Sequence, residues 1–395
     1  MRRKPQWYHP PLLWFLACWS AVSFLWIVFT SLWITPCHRD GGMDGVAANN
    51  NNDNNVGAAV VPFTPSHIRS NNNQLQQPPI PRFQHKQPPQ PYNFTAAICC
   101  IMKDAEAYME EWIDFHLLAM DFQNIYIYDN SDNFDLQQWY RNTRNDTVYS
   151  RVEVTHYPGQ WIDDQDDFAQ ALMAKDCIKR FGLDKNGPQH DYFAIIDDDE
   201  FIVLQSYPNY TNIRDVLQDY LVPFGGSLTM NWIMFGTSNR SVYSPLPQLK
   251  RFLWRDAEPS SVIKTIVKAT DFDEMINPHA ARLRNDAQTH NTKYPGNLFQ
   301  PSSPARASDH DKARDILLVY HYRYGSLKEY LQKKCVRGNA DLQKWCNKDG
   351  TLRTDTPDHI QPRHGDVYDD TAWEYLKAFA PKYQMYDSGM WRDFT

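Results

Sequence analysis

The chain has 395 residues, long for one domain and short for three, which points to one large domain with extensions. Hydrophobic residues make up 42% and charged residues 22%, which excludes a wholly disordered or collagen-like chain. Lys and Arg number 40 against 47 Asp and Glu, a formal charge of −7, and no run of five basic residues occurs, which argues against nucleic-acid binding.

The first predicted element is a membrane span. Leu12 to Thr35 is 24 residues without a charge. About 20 helical residues cross a bilayer core, whereas the apolar part of a signal peptide is about 7–15 long. Arg2, Arg3 and Lys4 precede the stretch and only Arg39 follows closely. The positive-inside rule then puts residues 1–11 in the cytosol and the rest across the membrane. Residues 36–92 read as a stem. Pro62 to Pro91 holds eight prolines, and Asn runs occupy 49–52 and 71–73. Such composition cannot bury enough apolar surface to offset the entropy of ordering.

Seven cysteines include no C-x-x-C pair, which argues against structural zinc. Cys335 and Cys346 are the first pairing expected if disulfides form. Sequons occur at Asn93, Asn145, Asn209 and Asn239.

From Thr95 the pattern alternates between strands and helices. Ala96–Met102 reads as a buried strand, Ala105–Met120 as an amphipathic helix and Asn124–Tyr128 as a second strand. Arg151–His156 alternates like a strand, Asp166–Phe181 reads as a helix, and Tyr192–Ile196 is a further strand. Leu228–Met234, Val262–Ala269 and Ile316–Tyr320 are later strands, and Leu327–Val336 is a helix capped by Ser326. This order predicts an α/β fold, a mostly parallel sheet flanked by helices. Ligands in such sheets bind beyond the carboxyl ends of the strands. Three of those ends carry an acid: Asp104, Asp129 and Asp197.

The acids Asp197, Asp198, Asp199 and Glu200 interrupt an otherwise core-like run, IIDDDEFIV. Packed like charges require a compensating cation or solvent. Hard cations such as Mn²⁺ and Mg²⁺ take carboxylate oxygens. In an extended segment Asp197 and Asp199 would face one side and Asp198 the other. The competing reading is a solvated acidic turn. Trp232 either stacks on a sugar or packs in the core. Lys264 either meets phosphate or lies on a solvated strand face.

Taken in order, KDAEAYMEEWIDFHLLAM, IYIYDNSD, IIDDDEFIV, LTMNWIMFGTS and VYHYRYGSLKEYLQKKCVRG resemble the motifs of glycosyltransferase family 92 and its family 2-like relatives. The resemblance covers roughly residues 96–340. It implies a GT-A nucleotide-sugar fold, an inverting mechanism, Mn²⁺ or Mg²⁺, and a type II Golgi anchor with the catalytic domain in the lumen. It assigns 93–345 to that domain and leaves 346–395 as a C-terminal extension. The implied metal residues are Asp197, Asp199 and His321. Lys103, Asp104, Glu106, Asp129 and Asp197 match positions on the nucleotide-sugar side, and Trp232 and Lys264 join them as candidates; Asp104 stands where the family has Asn. The resemblance makes UDP-galactose the leading donor, with a glycan or polysaccharide as acceptor. The catalytic base is not identified; Asp256, Glu258 and Asp271 are the candidates in the region that could face the acceptor. Two other readings stand beside this one: a lumenal metal-dependent phosphohydrolase, and a noncatalytic, membrane-tethered glycan-binding protein.

Overall fold

The computed structural model describes residues 91–132, 135–157, 169–186, 189–336, 344–358 and 361–388. The chain divides into two units, Met1–Leu75 and Gln76–Thr395, and only the second contains described residues. The expected cytosolic tail, membrane span and all but the end of the stem lie outside them, as do the first three residues of the expected helix 166–181. Among the described residues no helix is long and apolar enough to cross a membrane.

Nine strands form one sheet: β1 (Ala96–Met102), β2 (Asn124–Asp129), β3 (Val152–His156), β4 (Tyr192–Ile195), β5 (Glu200–Leu204), β6 (Ser227–Met234), β7 (Ile263–Lys268), β8 (Thr289–Asn291) and β9 (Leu317–His321). Their order is β3-β2-β1-β4-β7-β6-β9-β5, with β8 beside the start of β6. The first four run parallel, β7 opposes both its neighbours, β6 and β9 are parallel, and β5 opposes β9. The fold is thus the mixed α/β arrangement that the alternating pattern predicts.

The helices are α1 (Met109–Asp114), α2 (Leu136–Thr143), α3 (Ala169–Ile178), α4 (Ile213–Tyr220), α5 (Gln248–Arg251), α6 (Leu327–Leu331) and α7 (Thr371–Phe379). Wider π-turns extend α1 over Phe115–Ala119, α3 over Lys179–Leu183 and α6 over Gln332–Val336. The helix expected from Ala105 therefore starts four residues later. In its π-turn the buried His116 bridges two backbones: Nδ1 donates to the Trp112 carbonyl at 2.8 Å and Nε2 accepts the Ile202 N–H at 3.2 Å.

Side chains alternate along β1, so the sheet is covered on both faces. Ile98, Cys100 and Met102 join one apolar cluster with Trp112, Phe115 and Phe201. Ala97 and Cys99 join another with Tyr126, Ala174 and Phe193. Each fully buried large apolar side chain contributes about 1.5–3 kcal/mol.

Two stretches outside the sequence motifs belong to this core. From the supposed C-terminal extension, α7 places Trp373, Tyr375 and Leu376 in the first cluster. At residues 286–311, where the sequence offers no motif, β8 pairs with Ser227–Thr229 of β6. The Cys335–Cys346 disulfide is present as expected. A second, Cys99–Cys177, joins β1 to α3 and was not anticipated.

Candidate active site

The strand-end acids reach one edge of the sheet. β1, β2, β4, β6 and β9 run in one direction, so their last residues share that edge, and the opposed β7 brings its first residues there. Asp104 follows β1, Asp129 ends β2, Asp197 follows β4 and His321 ends β9. Trp232 lies near the end of β6 and Lys264 near the start of β7.

On the β1–β2 side a short hydrogen-bonded loop is built. Asp104 has a φ of +48°, its N–H donates to Ser131 Oγ at 3.1 Å and its Oδ1 accepts the Asp132 N–H at 3.0 Å. Asp tolerates this left-handed backbone better than most residues do. Lys103 pairs with Asp132 at 2.6 Å, and the buried Asp129 accepts the Ser131 N–H at 3.0 Å.

The acidic run is not one extended segment. β4 ends at Ile195, Asp198 and Asp199 form a turn, and β5 begins at Glu200. The period-two assignment of faces is corrected accordingly: Asp198 and Asp199 both line a cavity, whereas Asp197 turns to Lys264. The turn arches over that lysine, whose side chain is 1% exposed. Its ammonium lies 3.0 Å from Asp197 Oδ2 and 3.3 Å from Glu200 Oε2. Burial opposes the charge on Lys264, but Asp197 and Glu200 outweigh it and hold the ammonium above its ordinary range. Burial pushes the Glu200 carboxyl well up against the pull of Lys264. Gln170 of α3 donates to the other oxygen of Asp197.

Asp199 has different partners. The Lys333 ammonium contacts its Oδ2, and His321 Nε2 stands 3.4 Å from its Oδ1. Burial would raise this carboxyl, but Lys333 and His321 outweigh it and hold it well below the usual range. Burial, the largest influence on His321, lowers its proton affinity. Its Nδ1 is buried without a hydrogen-bond partner. A proton there would be an orphaned donor, so the neutral ring is best served by placing it on Nε2, facing Asp199. Trp232 is half-buried between two histidines, its ring 4.3 Å from His321 and 5.0 Å from His279.

The cavity beside this turn has a volume of about 550 Å³. Asp104, Glu106, Asp198 and Asp199 line it, facing Arg323, Lys328 and Lys333, with Tyr108, Tyr243 and Tyr324 among its aromatic walls. None of the three acids named for the acceptor side lines it. Asp256 pairs with Arg363 at 2.9 Å, and Glu258 pairs with Arg314 at the surface. Asp271 accepts the Gly226 N–H at 2.7 Å, at the opposite edge of the sheet.

The donors present do not form the expected divalent site. Asp197 is turned to Lys264, His321 faces Asp199 with its Nε2, and the Lys333 ammonium already meets the Asp199 carboxylate. Among the described residues no three His, Cys, Asp or Glu side chains converge where an ion could sit.

Sequence reasoning passed over Asp198, Tyr243, Glu329 and Lys333. One signal for Lys333 was readable. The Ser326-x-x-Glu329 capping box fixes where α6 starts, and Lys333 lies four residues after Glu329, on the same face.

No protein-family model and no curated protein matches this chain. Solved structures of S. aureus TarS match it weakly. TarS 1–349 in complex with UDP is 12% identical, with a TM-score of 0.28, over 45% of this chain and 47% of that one. TarS 1–349 alone is 11% identical with a TM-score of 0.31, over 61% and 64%. A longer TarS chain is 11% identical with a TM-score of 0.30, over 62% and 39%. The match spans less than two thirds of each TarS chain, and TM-scores this low carry no argument about fold or activity.

Proposed function

We propose that this chain is a glycosyltransferase that moves a sugar from a nucleotide-sugar donor onto a hydroxyl of a glycan or polysaccharide. The observation that carries the reading is the cavity at the carboxyl edge of the sheet, where carboxylates and ammonium groups face each other across about 550 Å³. Open α/β sheets bind ligands at that edge. A nucleotide sugar needs both kinds of group: carboxylates accept from ribose and sugar hydroxyls, and cations face the diphosphate. The tyrosine walls offer flat apolar faces to an acceptor sugar.

In an inverting transfer the acceptor oxygen attacks the anomeric carbon from the face opposite the diphosphate. The new C–O bond forms as the bond to the diphosphate breaks, and the acceptor proton passes to a base. In this reading Asp104 and Asp129 hold the nucleoside side, and Asp198 and Asp199 border the sugar. UDP-galactose is the leading donor. The uncharged stretch Leu12–Thr35 serves as a type II anchor, with the folded domain in the Golgi lumen. The resemblance to family 92 supports both statements.

The test is hydrolysis and transfer with a panel of nucleotide sugars, UDP-galactose first, scored for released nucleoside diphosphate. Release of the diphosphate with sugar transfer supports the reading. Release of inorganic phosphate alone would replace it with the phosphohydrolase, and glycan binding without turnover with the noncatalytic protein.

A further inference from the structure

Both acids expected to hold a metal are already met by lysines, and the two lysines differ. Lys264 is sealed beneath the acidic turn, held by Asp197 and Glu200 from both ends. Lys333 reaches the same turn from the cavity side and is 31% exposed, so its ammonium borders the space a ligand would enter. Its position is fixed by the fold at two points. The capping box of Ser326 and Glu329 sets the start of α6, and two residues after Lys333 the chain is tied through Cys335 to Cys346. An ammonium beside Asp199 supplies positive charge where the resemblance would place a divalent ion.

We infer that Lys333 is the cation that receives the diphosphate of the nucleotide, and that the nucleoside diphosphate binds here without a divalent ion. The inference rests on the proposed function, because it is the donor's diphosphate that enters beside Asp199. Lysine suits the task as a compact charge with three rotatable donors, able to share one carboxylate and one phosphate oxygen. The carboxylate of Asp199 then orients the ammonium, and His321 orients the carboxylate.

The experiment is calorimetric titration of the detergent-solubilised full chain with UDP, and with GDP and ADP as further probes, in EDTA and in Mn²⁺. Wild type is expected to bind one of them in EDTA, within about threefold of its affinity in Mn²⁺. Lys333→Met should weaken that binding about 10- to 100-fold, the range for a hydrogen bond to a charged group, while Lys333→Arg keeps most of it. Because Lys333→Met leaves Asp199 without its ammonium, the charge-balanced pair Lys333→Met with Asp199→Asn is measured too, with thermal melts of each. Binding in Mn²⁺ but not in EDTA would overturn the inference and leave the proposed function standing. Undiminished binding in EDTA by the charge-balanced pair would overturn the role of Lys333. No binding of any of the three nucleotides under either condition would overturn the proposed function itself.

Discussion

Glu111 and His116 lie five residues apart around the end of α1, and pH acts on them in opposite senses. Burial raises the Glu111 carboxyl from 4.5 to about 7, although it accepts the backbone N–H groups of Gln248 and Leu249. The folded chain therefore binds more protons than the unfolded one between those values, and stability falls as pH rises through that window, by about 3 kcal/mol. Burial lowers His116 from 6.5 to about 3. Here the unfolded chain binds more protons, so stability is complete above 6.5 and is lost as pH falls toward 3, by about 5 kcal/mol. Between pH 4.5 and 6.5 the two contributions oppose each other. Urea unfolding of Glu111→Gln should then show stability climbing more steeply with pH than in wild type, and His116→Gln should show it declining. Unchanged slopes in both variants would contradict the assignment.

Asp199 makes a second residue-scale prediction. Read from the sequence alone, neutralising one member of an acidic cluster costs little. The structure reverses that expectation, because Asp199 is engaged by Lys333 and His321 and is 13% exposed. Asp199→Asn should destabilise the fold by about 1–3 kcal/mol, tempered because Lys333 can turn to water. A melting temperature equal to wild type would show that the pairing contributes nothing.

Among the elements, α6 separates a local contact from a buried one. Ser326→Ala removes a cap and should cost about 1 kcal/mol. Glu329→Leu should cost more, about 3–5 kcal/mol, because it strands a buried guanidinium. Arg251 is 0% exposed, and its NH1 donates to both Glu329 oxygens at 2.9 and 3.1 Å. Chemical denaturation of the two variants checks the ranking. The Ser326 cap was legible in the sequence because its partners lie within four residues, and the sheet strands were legible because apolar runs are local. What sets the Asp197–Glu200 turn was not, since Lys264 lies 67 residues after Asp197 and no local pattern links them. The Cys99–Cys177 pair failed to show for the same reason, its partners being 78 residues apart. The π-turns are also invisible to a search for a 3.6-residue period. At the site, the acids and His321 were legible as strand ends; the capping box placed Lys333 on the face of Glu329, but nothing local placed it against Asp199, 134 residues away.

For the whole molecule, the question is the compartment. All four sequon asparagines, Asn93, Asn145, Asn209 and Asn239, are exposed. If residues after Pro36 cross the membrane, these sites should carry glycans that an endoglycosidase removes, and the domain should resist protease in sealed microsomes. Digestion without detergent, or a chain with no glycan at any of the four, would place the domain on the cytosolic side. The Cys99–Cys177 and Cys335–Cys346 bridges fit an oxidising compartment. Replacing the first pair by alanine should cost more than replacing the second, about 4.5 against 2–3 kcal/mol on loop-entropy grounds.

The acidic turn also sets a schedule for synthesis. Asp199 leaves the ribosome long before its counter-charge, because Lys333 follows it by 134 residues. At ordinary elongation rates of about 5–20 residues per second the nascent chain carries this anion uncompensated for roughly 7–27 seconds. The strands on either side, YFAI and EFIVL, are by then outside the tunnel and apolar. β5 also lacks its sheet neighbour, since β9 begins only at Leu317. A chain halted before that point holds an unpaired apolar strand and an Asp199 without its lysine together. Ribosome-bound chains stopped near residue 310 should therefore be held by chaperones, and full-length chains released from the ribosome should not.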